Sequence, residues 1–170
     1  MGFFSRLMGG SDEQTTAASE FEILAPVSGE LVHLENTNDP AFSSRAVGDG
    51  VAVVPQEGTV CAPVSGTVAA LFPTEHALGI MSDDSSAQVM LHIGIDTVKL
   101  EGKGFHALVV QGDHVDAGQP LVEVDFDAVR AAGFDPTVFV IVCERSENST
   151  LREHASGPVA AKEPVIWLSE

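Results

Sequence analysis

From Phe21 onward the chain is punctuated too often for long helices. Short runs of Val, Ile, Leu and Phe alternate with Gly, Pro, Asp and Ser at intervals of roughly eight to twelve residues. Examples are F-E-I-L, E-L-V-H-L, V-A-V-V-P, T-V-C-A-P-V, T-V-A-A-L-F, P-L-V-E-V-D, T-V-F-V-I-V-C and P-V-I-W-L. This rhythm predicts an all-β fold, an antiparallel sandwich or barrel. Helix signals are confined to about Asp127–Ala132, stopped by Gly133, and to a short turn near Ser149–Glu153. The phrase A-P-V-S-G-E-L-V at Ala25–Val32 recurs as A-P-V-S-G-T-V-A at Ala62–Ala69, and Gly112–Val124 carries a similar tight turn into a strand. These echoes predict quasi-repeated hairpin units. A length of 170 residues with 44% hydrophobic content suits one domain with a real core.

Residues 1–20 stand apart from the domain expected over 21–170. Phe3, Phe4, Leu7 and Met8 would share one face of a short amphipathic helix ended by Gly9-Gly10, followed by a polar linker. Two turns with a single Arg anchor weakly, so a frayed terminus is favoured over a membrane or partner contact. The N-terminus has no signal-peptide hydrophobic region, and no apolar run reaches the ~20 residues of a membrane span, so stable membrane insertion is not expected. Eight basic against 25 acidic residues give a net charge of −17, which opposes binding to nucleic acid. Cys61 and Cys143 each sit in an apolar run, a usage that fits a reducing cytoplasm better than a disulfide scaffold.

His76 and His92 are the pair most suggestive of chemistry. Residues 76–81 and 88–93 read as the strands of a hairpin, with Asp83-Asp84-Ser85-Ser86 as the turn. A turn centred near Asp84 would place the two imidazoles directly opposite, with Cβ atoms about 5 Å apart. Alternation then groups them with Leu78, Ile80, Gln88 and Met90, and sends Ala77, Gly79, Met81, Val89, Leu91 and Ile93 to the core. Gly94 leaves open space beside His92, and Thr74 lies two residues before His76, where its hydroxyl can reach the ring.

Facing histidines can act as nucleophile and helper, ligate a metal, or be ordinary surface residues. A zinc hydrolase needs three protein ligands. The local sequence has no H-x-H, no H-E-x-x-H and no third ligand beyond a folded-back Asp96, so His76 and His92 would bind metal only with a carboxylate from a partner. No G-x-S-x-G nucleophile turn is present. Metal-free phosphoryl transfer fits better: one neutral imidazole attacks phosphorus while the other, with Thr74, binds the phosphoryl oxygens. Ile80, Met90, Ile93 and Ile95 would exclude water by packing beneath the site or lining it.

The run Gln88-Val89-Met90-Leu91-His92-Ile93-Gly94-Ile95-Asp96-Thr97-Val98 resembles the active-site signature of glucose-type enzyme IIA of the bacterial sugar phosphotransferase system, with Ser86 at its leading Gly. Ala25–Gly29, Val47–Ala52, Ala62–Thr67 and Thr74–Ala77 resemble further family segments in family order, over roughly residues 21–168. The resemblance implies a β-sandwich phosphocarrier, the EIIA type-1 domain over 21–170. His92 would accept phosphate from phospho-HPr and pass it to a cysteine on the EIIB domain of a sugar permease. His76 would stabilise the phosphoryl group and Thr74 would support it by hydrogen bonding. Covalent phosphate on His92 would be the only group carried, with no cofactor. Docking would use an apolar patch of Phe42, Val47, Phe72, Met90 and Val98 flanked by Asp39 and Asp96. Pro40-Ala41 replaces bulkier residues at its rim. Cys61 and Cys143 would not take phosphate, and His33, His106, His114 and His154 are expected to be solvated.

A second reading is a regulatory binding module, in which two negative charges added to a greasy patch switch its choice of non-transport partners. The A-P-V-S-G-T-V and G-D-H-V-D-A-G-Q-P-L phrases also resemble biotinyl or lipoyl carrier hairpins, but the modifiable Lys those need at a hairpin tip is missing. Neither the sugar nor the permease is legible in the chain.

Overall fold

The computed structural model describes residues 20–170, and the N-terminal helix and linker expected over most of residues 1–20 lie outside them. In chain order the strands are β1 (Phe21–Leu24), β2 (Gly29–His33), β3 (Asp49–Pro55), β4 (Thr59–Cys61), β5 (Gly66–Leu71), β6 (Ala77–Ser82), β7 (Ala87–Ile93), β8 (Phe105–Ala107), β9 (His114–Val115), β10 (Pro120–Val124), β11 (Val138–Arg145), β12 (Thr150–Glu153), β13 (Gly157–Val159) and β14 (Pro164–Ser169). Two short helices, α1 (Pro40–Ser43) and α2 (Phe126–Ala131), interrupt them. The helix expected near Asp127–Ala132 is α2. The turn of helix expected near Ser149–Glu153 is instead strand β12, because Thr150 to Glu153 ladder along Ser169 to Ile166 of β14.

Every strand pair is antiparallel. The largest sheet runs β13-β2-β3-β11-β7-β6-β5-β9, and two three-stranded sheets, β1-β14-β12 and β4-β10-β8, accompany it. The large sheet ends in free edges at β13 and β9 and does not close, so the architecture is a sandwich and not a barrel.

Around β3 and β11 the large sheet is apolar on both faces. On one face Leu31, Val53, Leu78, Ile80, Val89, Leu91, Ile93, Val138 and Val140 join the main core with Ile23, Leu121 and Ile166 from the smaller sheets. On the other, Leu34, Phe42, Ala52, Phe139 and Ile141 form a second, smaller cluster. β11 reads V-F-V-I-V because both of its faces are covered. β7 alternates cleanly between buried and half-buried residues: Val89, Leu91 and Ile93 point into the main core, and Gln88, Met90 and His92 point to the other face.

The hairpin register differs from the sequence expectation by one residue. β6 and β7 pair Ala77 with His92, Leu78 with Leu91, Gly79 with Met90 and Ile80 with Val89. The four-residue loop Asp83–Ser86 sets this. Ser85 takes a left-handed backbone (φ 58°), the Asp84 carboxylate accepts from the Ser86 amide and from the hydroxyls of Ser82 and Ser86, and the Ser85 amide donates to the Ser82 carbonyl. The slip inverts the expected faces of β6: Leu78 and Ile80 enter the main core, while Ala77, Gly79 and Met81 share the face of His92. The β6 sequence A-L-G-I-M-S has no polar residue before its end, so its period gives no signal. Ser86, where the resembling signature has Gly, needs no positive φ, since Ser85 takes it.

Leu91, fully buried between β6 and β11, tests the packing. Leu91→Ala should cost about 2–5 kcal/mol, read by urea unfolding of the single Trp167. A loss below ~0.5 kcal/mol, the range of surface changes, would contradict this core.

Candidate active site

His92 lies in the ladder between Phe139 of β11 and Ala77 of β6. Ala77 is small, which leaves room over β6 for a second ring. That ring is His76. Its backbone stands opposite Ile93, not His92, and its carbonyl accepts from the Ile93 amide at 2.7 Å. His76 precedes the strand and follows Glu75, whose left-handed backbone (φ 60°) breaks the alternation at this point. The two imidazoles still meet edge to face, with ring centroids 5.1 Å apart at 85°. The hairpin argument therefore brings together the right residues through the wrong register.

Apolar rings surround the pair. Phe42 stacks on Phe139 (4.4 Å, 26°) and tilts against His92 at 5.2 Å, while Phe72 tilts against His76 at 5.6 Å. Phe42 is placed by α1: Asp39 caps this helix by accepting from the amides of Ala41 and Phe42, and Pro40 opens it. Asp39 therefore has a structural task beyond solvating a loop.

The hydrogen bonds rank the imidazoles. His92 Nδ1 lies 2.8 Å from the carbonyl oxygen of Gly94. A carbonyl can only accept, so Nδ1 carries the proton and donates, and in the neutral ring Nε2 keeps the lone pair. His76 Nδ1 lies 2.6 Å from Thr74 Oγ1. When the Thr74 hydroxyl donates to it, His76 Nε2 carries a hydrogen that can bind an oxygen. His92 thus has an unprotonated Nε2, and with that orientation of Thr74 the Nε2 of His76 is protonated.

Gly94 is required where it stands. Its φ is +78°, and a Cβ there would lie 2.4 Å from Thr97 Cγ2. Thr97 is fully buried, and its hydroxyl donates to the Ile93 carbonyl, closing the turn after β7. The Gly94 amide donates to the Thr137 carbonyl (2.8 Å) and the Ile95 amide to the Asp135 carbonyl (2.9 Å). The Asp135–Thr137 segment was not singled out in the sequence. Its signal was the Asp-Pro-Thr phrase ahead of a strand, a local side-chain-to-backbone turn.

Burial pushes both histidines below the ordinary imidazole pKa of 6.5. For His76 the second cause is the neighbouring His92. For His92 the Gly94 hydrogen bond, Asp39 and Asp96 pull upward without cancelling the burial. The shift of both rings is toward the neutral form.

A family model described as phosphoenolpyruvate-dependent sugar phosphotransferase system, EIIA 1, matches residues 21–148. The chain belongs to this EIIA family. It is 39% identical over 170 residues, 99% of its length, to the β-glucoside-specific EIIBCA component of Bacillus subtilis, and 42% identical over 144 residues, 85% of its length, to the glucose-specific EIICBA component of Streptococcus pneumoniae. It spans only 28% and 20% of those two proteins. The glucose permease IIA of Mycoplasma capricolum superposes with a TM-score of 0.80 at 34% identity, over 87% of this chain and 95% of that one.

The patch expected around the histidines of this EIIA domain is of two kinds. Phe72 (49% exposed), Val98 (50%) and Val47 (38%) are open to solvent. Phe42 is 6% exposed and Met90 half-buried, so they lie deeper than Phe72, Val98 and Val47. Asp96 is exposed, with a left-handed backbone (φ 60°), ahead of the 3-10 turn that carries Val98. Grooves lined by Gly58, Thr59, Phe105 and Asp125, and by Phe21, Ser149 and Leu168, touch neither histidine. Among the described residues no group of three or more His, Cys, Asp or Glu is placed to hold a metal ion.

Of the other histidines, His106 and His114 are exposed as expected, while His33 and His154 are half-buried. His33 Nδ1 lies 2.9 Å from Glu153, half-buried beside Arg45. His114 pairs with Asp83, and His154 stacks near Trp167.

NMR titration should place His76 and His92 below pH 6.5 and His114, raised by its hydrogen bond to Asp83, above it. Since folding lowers the first two, protonation favours the unfolded chain. The stability they contribute is present above pH 6.5 and is lost as pH falls through their folded values. A His92 that titrates at or above 6.5 would contradict the assignment.

Proposed function

We propose that this chain is a histidine phosphocarrier that takes phosphate from phospho-HPr on Nε2 of His92 and delivers it to the cysteine of an EIIB domain during sugar uptake. The observation that carries this is the Nδ1–H bond of His92 to the Gly94 carbonyl, which leaves Nε2 as the nucleophile. The Nε2 lone pair attacks phosphorus as the donor's N–P bond breaks and its imidazole leaves with the bonding pair. The new phosphoimidazole keeps its Nδ1 proton, and the Gly94 carbonyl stabilises the positive charge the ring gains in the transfer. His76 Nε2, backed by Thr74, donates to a phosphoryl oxygen. In the onward step a thiolate on EIIB forms an S–P bond as the N–P bond breaks, and His92 returns neutral.

Docking of a partner over Phe72, Val98 and Val47 would exclude water from the N–P bond while both histidines are covered. The EIIB assignment draws support from relatives whose names join EIIB and EIIC to EIIA in one chain. No described helix is long and apolar enough to cross a membrane, and neither cysteine is in a disulfide. Both support a cytoplasmic carrier that meets its permease at the inner membrane face. A regulatory docking module would use the same rim and has no observation of its own.

Incubation with phospho-HPr should add one phosphoryl group to the wild type by intact mass and none to His92→Ala. His76→Gln should accept phosphate but pass it to EIIB about a hundredfold more slowly, the low end of what a lost electrostatic donor costs. Phosphate on the His92→Ala chain would sink the assignment, and undiminished onward transfer by His76→Gln would remove His76 from the mechanism.

A further inference from the structure

The peptide unit between Gly94 and Ile95 does two jobs at once. Its C=O accepts the Nδ1 proton of His92, and its N–H donates to the Asp135 carbonyl at 2.9 Å. In a planar trans peptide these groups point in opposite directions, so the direction of one fixes the other. A hydrogen bond at the N–H also draws electron density toward the carbonyl oxygen and strengthens its acceptance from His92. The Asp135 backbone therefore sits one peptide away from the ring that the carrier reading phosphorylates.

Asp135 is itself held by its side chain. Oδ1 accepts from the Thr137 amide at 2.9 Å and from the Thr137 hydroxyl at 2.5 Å, and Oδ2 accepts from Asn38 Nδ2 at 3.1 Å. The Thr137 carbonyl in turn holds the Gly94 amide. One carboxylate thus fixes a short turn whose two carbonyls grip the Gly94–Ile95 segment. Through Asn38 it also reaches the residue before the Asp39 cap of α1, the helix that brings Phe42 against His92. Burial works against its charge, but the Thr137 and Asn38 bonds hold its carboxyl below the ordinary carboxylate range, so it is ionised at neutral pH.

We infer that Asp135 is a positioning residue for the phosphocarrier reaction: by fixing the Asp135–Thr137 turn it locks the Gly94 carbonyl in place and so keeps the Nε2 nitrogen of His92 unprotonated. It touches neither the phosphate nor His92 and acts through the Gly94 peptide. The inference rests on the carrier reading for its consequence, but its structural part can be measured without phosphate.

The test is imidazole 15N NMR of the full chain above pH 7, paired with the rate of phosphate acceptance from phospho-HPr. In the wild type His92 should show the single Nδ1–H tautomer. Asp135→Ala should turn His92 into a mixture of tautomers, leave the His76 signals in place, and slow acceptance about tenfold, the low end of what outer-shell orienting partners contribute. Asp135→Asn, which keeps an oxygen for Thr137, should stay close to wild type in both readouts. If Asp135→Ala does not fold, Thr137→Val carries the test, because it removes only the hydroxyl bond and should shift the tautomer in the same direction. A folded Asp135→Ala, or failing that a Thr137→Val, with the wild-type tautomer would overturn the inference. A wild type that takes no phosphate while the tautomer still shifts would instead defeat the carrier reading and leave the positioning role standing.

Discussion

The site depends on one hydrogen bond, from His92 Nδ1 to the Gly94 carbonyl at 2.8 Å. A free neutral imidazole exchanges its proton between two nitrogens, and only one of them can serve here. The bond makes the choice before any partner arrives. It exists because the chain turns back on itself right after β7, and that turn needs a residue without a side chain at 94 and a buried hydroxyl at 97. Replacing either would disturb the His92 ring without touching it.

The large sheet explains why a protein of charge −17 can present such a group. It is covered on one face by the main core and on the other by the cluster of Phe42, Phe139, Ile141, Ala52 and Leu34. His92 stands at the margin of that second cluster. Its environment is apolar enough to keep it uncharged, yet its ring is not sealed in. The acidic residues are not absent from the margin, since Asp39 and Asp96 both pull the His92 pKa upward, but burial outweighs them. Exposed Phe72, whose ring tilts against His76, gives the site an apolar edge, and Val98 and Val47 are exposed as well.

The β class and the hairpin are legible because strand periodicity and turn residues are local signals, and the hairpin brings the His76 and His92 rings near each other in spite of the register. β7 shows this best, since its alternation of Val89, Leu91 and Ile93 with Gln88, Met90 and His92 reads the same in sequence and in structure. The register was not legible. It was settled by a side-chain carboxylate, Asp84, organising the loop and by Ser85 accepting a left-handed backbone, neither of which a run of Asp and Ser announces. β6 could not correct the error, because a strand buried on both faces carries no period. Strand β12 was mistaken for a helical turn because its pairing with β14 is a long-range contact. The inward turn of Phe42 has no pattern in the sequence, because the cap that sets it, Asp39, works through backbone amides. Asp135 carries no local signal of its tie to the site for a related reason: its partners Asn38 and Ile95 are distant in sequence, and it reaches the site only through the backbone.

The most direct measurement of the central claim is the position of the N–P bond in the phosphorylated chain, read by 31P–15N correlation NMR at alkaline pH. A nitrogen that donates to a carbonyl cannot attack phosphorus, so the phosphoryl group should sit on Nε2 of His92, with Nδ1 still protonated against Gly94. Phosphate on Nδ1 of His92, or on His76, would contradict the account.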